Sequence, residues 1–141
     1  MSVVLASLSK NEHDEFMLYL EEMKVRRGEY LFRSGDSAEA VYFLKTGKIG
    51  VQTSTGFEDR QQVVALLDPG AVVGEKGLAT NAPRKMTVVA IEDCVLYLLG
   101  VAAFTELENS NPCLALKILK KLLNVASLRL QASSERLAHV L

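Results

Sequence analysis

The stretch GAVVGEKGLATNAPRKMTVVA, Gly70 to Ala90, joins two apolar runs through a segment that fits neither strand nor helix periodicity. Ala71, Val72 and Val73 enter it, and Met86 to Ile91 leave it. Between them lie Gly74-Glu75, Gly77, Pro83 and the pair Arg84-Lys85. Glycines at 74 and 77 let backbone N–H groups approach a ligand without a Cβ in the way. N–H groups opening a short helical turn attract an anion. Arg84 can fork two donors onto a phosphate. A carboxylate such as Glu75 accepts from a hydroxyl. One anion beside one hydroxyl describes a ribose phosphate. The residues allow a second reading, in which Glu75 and Arg84 form an ion pair that closes a strand–helix–strand turn.

Outward from this stretch, Val25 to Leu99 reads as short apolar runs separated by turns. The runs are Tyr30 to Phe32, Val41 to Leu44, Ile49 to Val51, Val63 to Leu67, Ala71 to Val73, Met86 to Ile91 and Val95 to Leu99. Turn residues sit at Arg27-Gly28, Ser34-Gly35-Asp36, Thr46-Gly47, Thr55-Gly56, Asp68-Pro69-Gly70 and Glu92-Asp93. Seven or eight strands so spaced predict an antiparallel sandwich or jelly roll. Upstream, Ser9 and Glu12 make an S-x-x-E capping box, and the spacing predicts a helix from about Ser9 to Met23. Downstream, Val101 to Leu107 predicts a short helix. Asn111-Pro112 then opens a second that runs to about Val140, with proline favoured in the first turn. With Leu116 at position a, Leu123, Leu130 and Leu137 follow at a; Leu119, Ala126, Ser133 and Val140 fall at d. Such a helix is about 40 Å long, more than a small barrel can cover. Its leucine seam predicts a parallel two-fold homodimer. The alternative is that the stripe packs on the barrel.

The expected organisation is one domain over residues 1–141: an N-terminal helix (9–24), a β jelly roll (25–99) carrying the site segment (73–88), and C-terminal helices (101–141). The fold class is mainly β with flanking helices, an antiparallel double-stranded β-helix. With 141 residues and a 49% apolar fraction, the chain can bury a core. Sixteen basic against 17 acidic residues give a net charge of -1, so no basic surface suggests nucleic-acid binding. With no helix-turn-helix read after the long helix, the expectation is a stand-alone domain without a DNA-binding domain. Cys94 and Cys113 show no metal or redox spacing and read as reduced thiols, which suits the cytoplasm. MSVVLASLSK lacks a basic n-region, and no run is long enough to span a membrane. His13 and His139 are the only histidines. A metal-dependent enzyme needs several converging ligands, and no nucleophile–base pair stands out; the expectation is a non-enzyme with no cofactor.

GEKGLATNAPRKMTV resembles the phosphate-binding cassette of cyclic-nucleotide-binding domains, found in catabolite activators, kinase regulatory subunits and nucleotide-gated channels. Gly74, Glu75, Gly77, Leu78, Pro83, Arg84, Thr87 and Val88 fall on that pattern without a gap. The resemblance extends over RRGEYLFRSGDSAEAVYFLKTGKIGV, VVALLDPGAVVGE and EDCVLYLLGVAAFTELENSNP, nearly the whole chain. It implies a regulatory module that binds a 3′,5′-cyclic nucleotide between the barrel and the last helix. Arg84 would pair with the cyclic phosphate and Glu75 would accept from the ribose 2′-OH. N–H groups at Gly77 and Lys85 would complete the cradle, with Gly74, Lys76, Leu78 and Met86 lining it. LQASSERL (Leu130 to Leu137) resembles the base-contacting part of catabolite activators, so Ser133 and Ser134 would be the base contacts, with Arg129 as their rival. The chain departs from the family at Lys76, where an apolar residue is usual, and at Lys85 and Met86, where small residues are usual. Lys85 lacks the hydroxyl that often marks cGMP preference, which points to cAMP. If binding has been lost, the domain is a dimerisation or docking scaffold for an effector protein that the sequence does not identify.

Overall fold

The computed structural model describes residues 3–54 and 61–140. Two short helices, α1 (Val3–Ala6) and α2 (Lys10–Met17), precede eight strands: β1 (Glu21–Val25), β2 (Tyr30–Phe32), β3 (Ala40–Thr46), β4 (Ile49–Ser54), β5 (Gln61–Leu67), β6 (Val72–Val73), β7 (Thr87–Ala90) and β8 (Cys94–Gly100). A helical turn α3 (Lys76–Ala79) lies between β6 and β7, and α4 (Val101–Ser110) and α5 (Pro112–Val140) follow β8. The strands form two four-stranded sheets, ordered β1-β8-β3-β6 and β2-β7-β4-β5, with antiparallel pairing. This is the expected jelly roll with flanking helices. The turn expected at Thr55-Gly56 lies outside the described residues.

The first sheet is the middle layer of three, and its alternation fills two cores. On β3, Leu44 points between the sheets, whereas Val41 and Phe43 point to the helices. On β8, Cys94 and Leu96 face inward and Leu99 faces outward. A strand buried on both faces reads as an unbroken apolar run, which is the pattern of VYFL and VLYLL. Phe16, Phe104, Leu107, Leu114, Ile118 and Leu122 complete the helical core.

The N-terminal helix starts as expected and ends earlier. Ser9 Oγ accepts from Glu12 N at 3.2 Å, and Ser9 N donates to Glu12 Oε1 at 3.0 Å, closing the capping box. The helix stops at Met17, not Met23, through tight turns in which Leu18, Tyr19 and Leu20 each donate three residues back. Glu21 to Val25 is instead a strand, in continuous register with β8 from Glu21↔Leu98 to Val25↔Cys94. Its Met23 and Val25 pack inward at the strand period of two. The ladder offered by β8 decides the structure there, and it begins the β region before Val25.

Helix α5 has two different halves. Leu114, Ala115, Ile118 and Leu122 bury one face on the first half. The leucine seam lies on another face: Leu116, Leu123, Leu130 and Leu137 are all exposed, Leu123 at 68% and Leu130 at 69%. The seam therefore does not pack on the barrel. The side chain of Val140, expected at the last d position, is not among those described. Asn111 caps the helix, its Oδ1 accepting from Leu114 N at 3.1 Å.

Three polar contacts clasp α2 and its exit to the α4–α5 elbow. Lys117 Nζ meets Glu12 Oε1 at 2.8 Å, Asn111 Nδ2 donates to Glu15 Oε2 at 2.7 Å, and the Tyr19 and Ser110 hydroxyls lie 2.7 Å apart. The hydrogen bond from Lys117, helped by the Ser9 N–H, pulls the Glu12 carboxyl from its ordinary 4.5 down to about 2. A folded-state value below the unfolded one means that this contact stabilises the fold above about pH 4.5 and is lost as pH falls towards 2. We predict that Lys117→Met moves the Glu12 titration back towards 4.5, as read from its carboxyl carbon by NMR. An unchanged titration in that variant would show that Lys117 is not what holds it down.

Candidate functional site

The site is built on the connection from β6 to β7, which passes from the first sheet to the second. Gly74 follows β6 with φ +75°, a conformation that strains any residue with a side chain. A Cβ there would also lie 2.8 Å from Arg84 Nη1. The glycine is required by the arginine's position as well as by the turn. Gly77 has a different constraint. A Cβ on it would lie 2.4 Å from the Ala40 carbonyl oxygen, so it lets α3 sit against β3. Its N–H is engaged within the turn, donating to Gly74 O at 2.9 Å. This corrects the expectation that the Gly77 N–H is open to a ligand. The N–H groups of Glu75, Lys76 and Lys85 have no acceptor among the described residues.

Arg84 is the centre of the site. Its backbone is tied to the β2–β3 loop on both sides: Arg84 N donates to Asp36 O at 2.8 Å, and Gly35 N donates to Arg84 O at 2.7 Å. The chain is thus fixed where the side chain turns inward, and only 5% of the residue is exposed. Nη1 donates to Gly74 O at 3.0 Å and Nη2 to Ala40 O at 2.6 Å. The Phe32 ring lies against the guanidinium, its centroid 4.2 Å from Cζ. Nε is buried and has no hydrogen-bond partner among the described residues. Among the described residues no carboxylate lies within ion-pair distance. Burial pulls this guanidinium below its ordinary value, opposed by Tyr42, Glu75 and Asp36. An arginine stays charged regardless. The result is a buried cation with unused donors, which is the chemistry of an anion site.

Glu75 stands beside it but does not pair with it. Its carboxylate takes Arg129 Nη1 on both oxygens, at 3.3 and 3.2 Å. Arg129 Nη2 also donates to the Val72 carbonyl, through a short contact. The ion pair considered from sequence, Glu75 with Arg84, gives way to one that reaches from the cassette to α5. Of the sequence-predicted residues, Gly74, Glu75, Gly77, Arg84 and Arg129 come together. Leu78 packs into the helical core, Lys76 is half-buried, and Lys85 and Met86 are exposed. Ser133 and Ser134 stay exposed on the far half of α5, where Arg136 Nη2 donates to Ser133 Oγ at 3.3 Å. Sequence reading missed Phe32 and the carbonyls of Ala40 and Val72. Backbone acceptors carry no residue signature. Phe32 reads as one more apolar strand residue until its strand is placed against Arg84.

The fold agrees with the comparisons. The cyclic nucleotide-binding domain profile matches residues 22–111. A cyclic nucleotide-binding domain from Methylobacillus flagellatus KT superposes with a TM-score of 0.86 at 25% identity, covering 92% of this chain and 72% of that one. The cyclic AMP receptor protein of Thermus thermophilus is 31% identical over 96 residues, 67% of this chain and 44% of that protein. The cAMP-dependent protein kinase regulatory subunit of Eremothecium gossypii is 35% identical over 85 residues, 60% of this chain and 17% of that one. The chain thus spans less than half the length of these two relatives. With the profile covering well over half of its residues, the chain belongs to the cyclic nucleotide-binding domain family.

Proposed function

We propose that this domain is a regulatory sensor that binds a 3′,5′-cyclic nucleotide, cAMP in preference to cGMP, and couples it to movement of α5. The observation that carries the reading is the buried Arg84 guanidinium with free donors and, among the described residues, no counter-ion. A cyclic phosphate supplies the missing charge. Glu75, one residue beyond Gly74, is the acceptor for the ribose 2′-OH, and the open N–H groups of Glu75, Lys76 and Lys85 extend the cradle. The domain itself is not a catalyst.

The coupling runs through Glu75. Its carboxylate is held by Arg129 of α5, so a nucleotide that engages Glu75 changes the footing of that helix. A ligand shifts a conformational equilibrium by its differential affinity for the two states. The base then meets α5 at Arg129, Ser133 or Ser134. The exposed leucines of α5 support a homodimer through this helix, because single apolar side chains on a surface are ordinary whereas a continuous stripe calls for a partner. A dimerising or docking scaffold without nucleotide is the second reading. It is favoured by the Arg84 Nη groups already resting on carbonyls and by Met86 at the site's edge.

Calorimetric titration with cAMP and cGMP tests the first reading. Hydrogen bonds to a charged group contribute roughly 1.5–3 kcal/mol, so Arg84→Ala should weaken binding by about tenfold to a hundredfold. Arg84→Lys should lose much of this, since a point charge does not reproduce the fork. Tight binding by Arg84→Ala, and by its double variant with Lys85→Ala, would remove the cassette assignment. No binding by the unmodified protein would leave the scaffold.

Hydrogen exchange across Leu123 to Leu137 should slow at saturating cAMP. Unchanged exchange there would take α5 out of the mechanism. In sedimentation, the unmodified protein should be a dimer at about ten micromolar, within the ordinary range of association. Replacing Leu123 and Leu130 by Glu should yield monomers. A monomeric unmodified protein would refute the seam as an interface.

A further inference from the structure

We infer that Phe32 is a positioning residue of the anion site: its ring holds the flat face of the Arg84 guanidinium and so fixes where the unused donors point. The inference rests on the reading of Arg84 as the phosphate partner. It begins with an irregularity in the sheet. Tyr30 pairs with Val89 and Phe32 with Val88, so two steps along β2 match one step along β7. Such a bulge re-aims the side chains on its strand. Without it, Phe32 would share the face of Tyr30, which is exposed. With it, Leu31 and Phe32 both turn between the sheets and pack against the inter-sheet core.

The bulge brings the ring to Arg84. The ring is itself backed by Tyr42, with centroids 5.9 Å apart and planes 34° apart. The guanidinium is therefore constrained in two directions. Its edge is bonded to Gly74 O and Ala40 O, which fixes it within its plane. Its Cζ lies over the Phe32 ring, 4.2 Å from the centroid and within stacking distance, so the ring limits the tilt of that plane. An aliphatic residue would fill the same space without the flat surface on which a planar guanidinium stacks. The guanidinium could then rock about its edge bonds, and a phosphate would have to order it on arrival. Stacking on a ring uses a planar cation, so the Arg84→Lys variant should not feel the loss.

The test combines Phe32→Leu, Phe32→Met and Phe32→Tyr with cAMP titration and NMR of the Arg84 side chain. Immobilising one side chain on binding converts to about two- to tenfold in affinity, the weakening expected for the Leu and Met variants. Phe32→Tyr keeps the ring and should bind as the unmodified protein does. In an Arg84→Lys background, Phe32→Leu should cause no further weakening. In the protein without nucleotide, the Arg84 Nε–H proton should be shifted by the ring current and should lose that shift in Phe32→Leu and Phe32→Met. Undiminished affinity in both aliphatic variants would overturn the inference, as would an equal loss in the Arg84→Lys background, which would mean general packing. If the unmodified protein binds no cyclic nucleotide, the functional reading fails, and the Nε–H shift alone decides the role of Phe32. A shift unchanged by Phe32→Leu and Phe32→Met would dismiss it.

Discussion

A guanidinium removed from water must be solvated by the protein, since burying an ion carries an effective penalty of several kcal/mol when it is left unpaired. Arg84 meets this with two carbonyl oxygens and one aromatic face and, among the described residues, without a carboxylate. Much of the surrounding chain is arranged by that choice. Gly74 must lack a Cβ so that Nη1 can reach its carbonyl. Ala40 must present its carbonyl at the start of β3, and Gly77 must lack a Cβ so that α3 can lie over the same carbonyl. The loop before β3 binds the arginine's backbone on both sides. A carboxylate at ion-pair distance would neutralise the charge and close the site to anions. Nearby Asp36 and Glu75 influence the guanidinium only at a distance.

The long helix is held unequally along its length. Fully burying a large aliphatic side chain is worth about 1.5–3 kcal/mol, and Leu114, Ile118 and Leu122 are all buried on its first half. Beyond Leu122 the polar ties to the barrel are those of Arg129, to Glu75 and to the Val72 carbonyl, among the described residues. Both partners of that ion pair are partly exposed, and pairs of this kind contribute about 0–1 kcal/mol. The first half is therefore an anchor and the second half is lightly tethered. In the proposed mechanism, a ligand that competes for Glu75 need alter only a small free energy to shift the far half, and the clasp between α2 and the α4–α5 elbow keeps the anchor in place.

The fold was readable where side chains carry the period. The apolar runs of β3, β7 and β8 and the start of α5 follow directly from their residues. The N-terminal helix misled because Phe16, Leu20 and Met23 fit a helical spacing, whereas β8 supplied a ladder that only the tertiary structure reveals. The centre of the site was readable because glycine, glutamate and arginine each have a narrow repertoire. Arg129 appeared only as a rival to two serines, since its long side chain reaches Glu75 from a turn below them. Phe32 was invisible as a site residue because a bulge, not its position in the strand, aims it at Arg84.

The residues that depart from the family pattern share one property. Lys85 and Met86 are exposed and Lys76 is half-buried, so none belongs to the packed centre formed by Arg84, Gly74 and Phe32. No acidic partner for Lys76 or Lys85 lies within ion-pair distance among the described residues. They therefore raise the positive potential at the rim. Such a field draws in any anion and fades with salt, so it speeds encounter without distinguishing one nucleotide from another. Discrimination has to come from contacts with fixed geometry. In the proposed complex the guanidinium held by two carbonyls and a ring, and the carboxylate shared with α5, select a cyclic ribose phosphate, and the choice between bases falls to the contacts on α5. The departures change how strongly the site attracts charge, while the constraint that shapes it stays with Arg84.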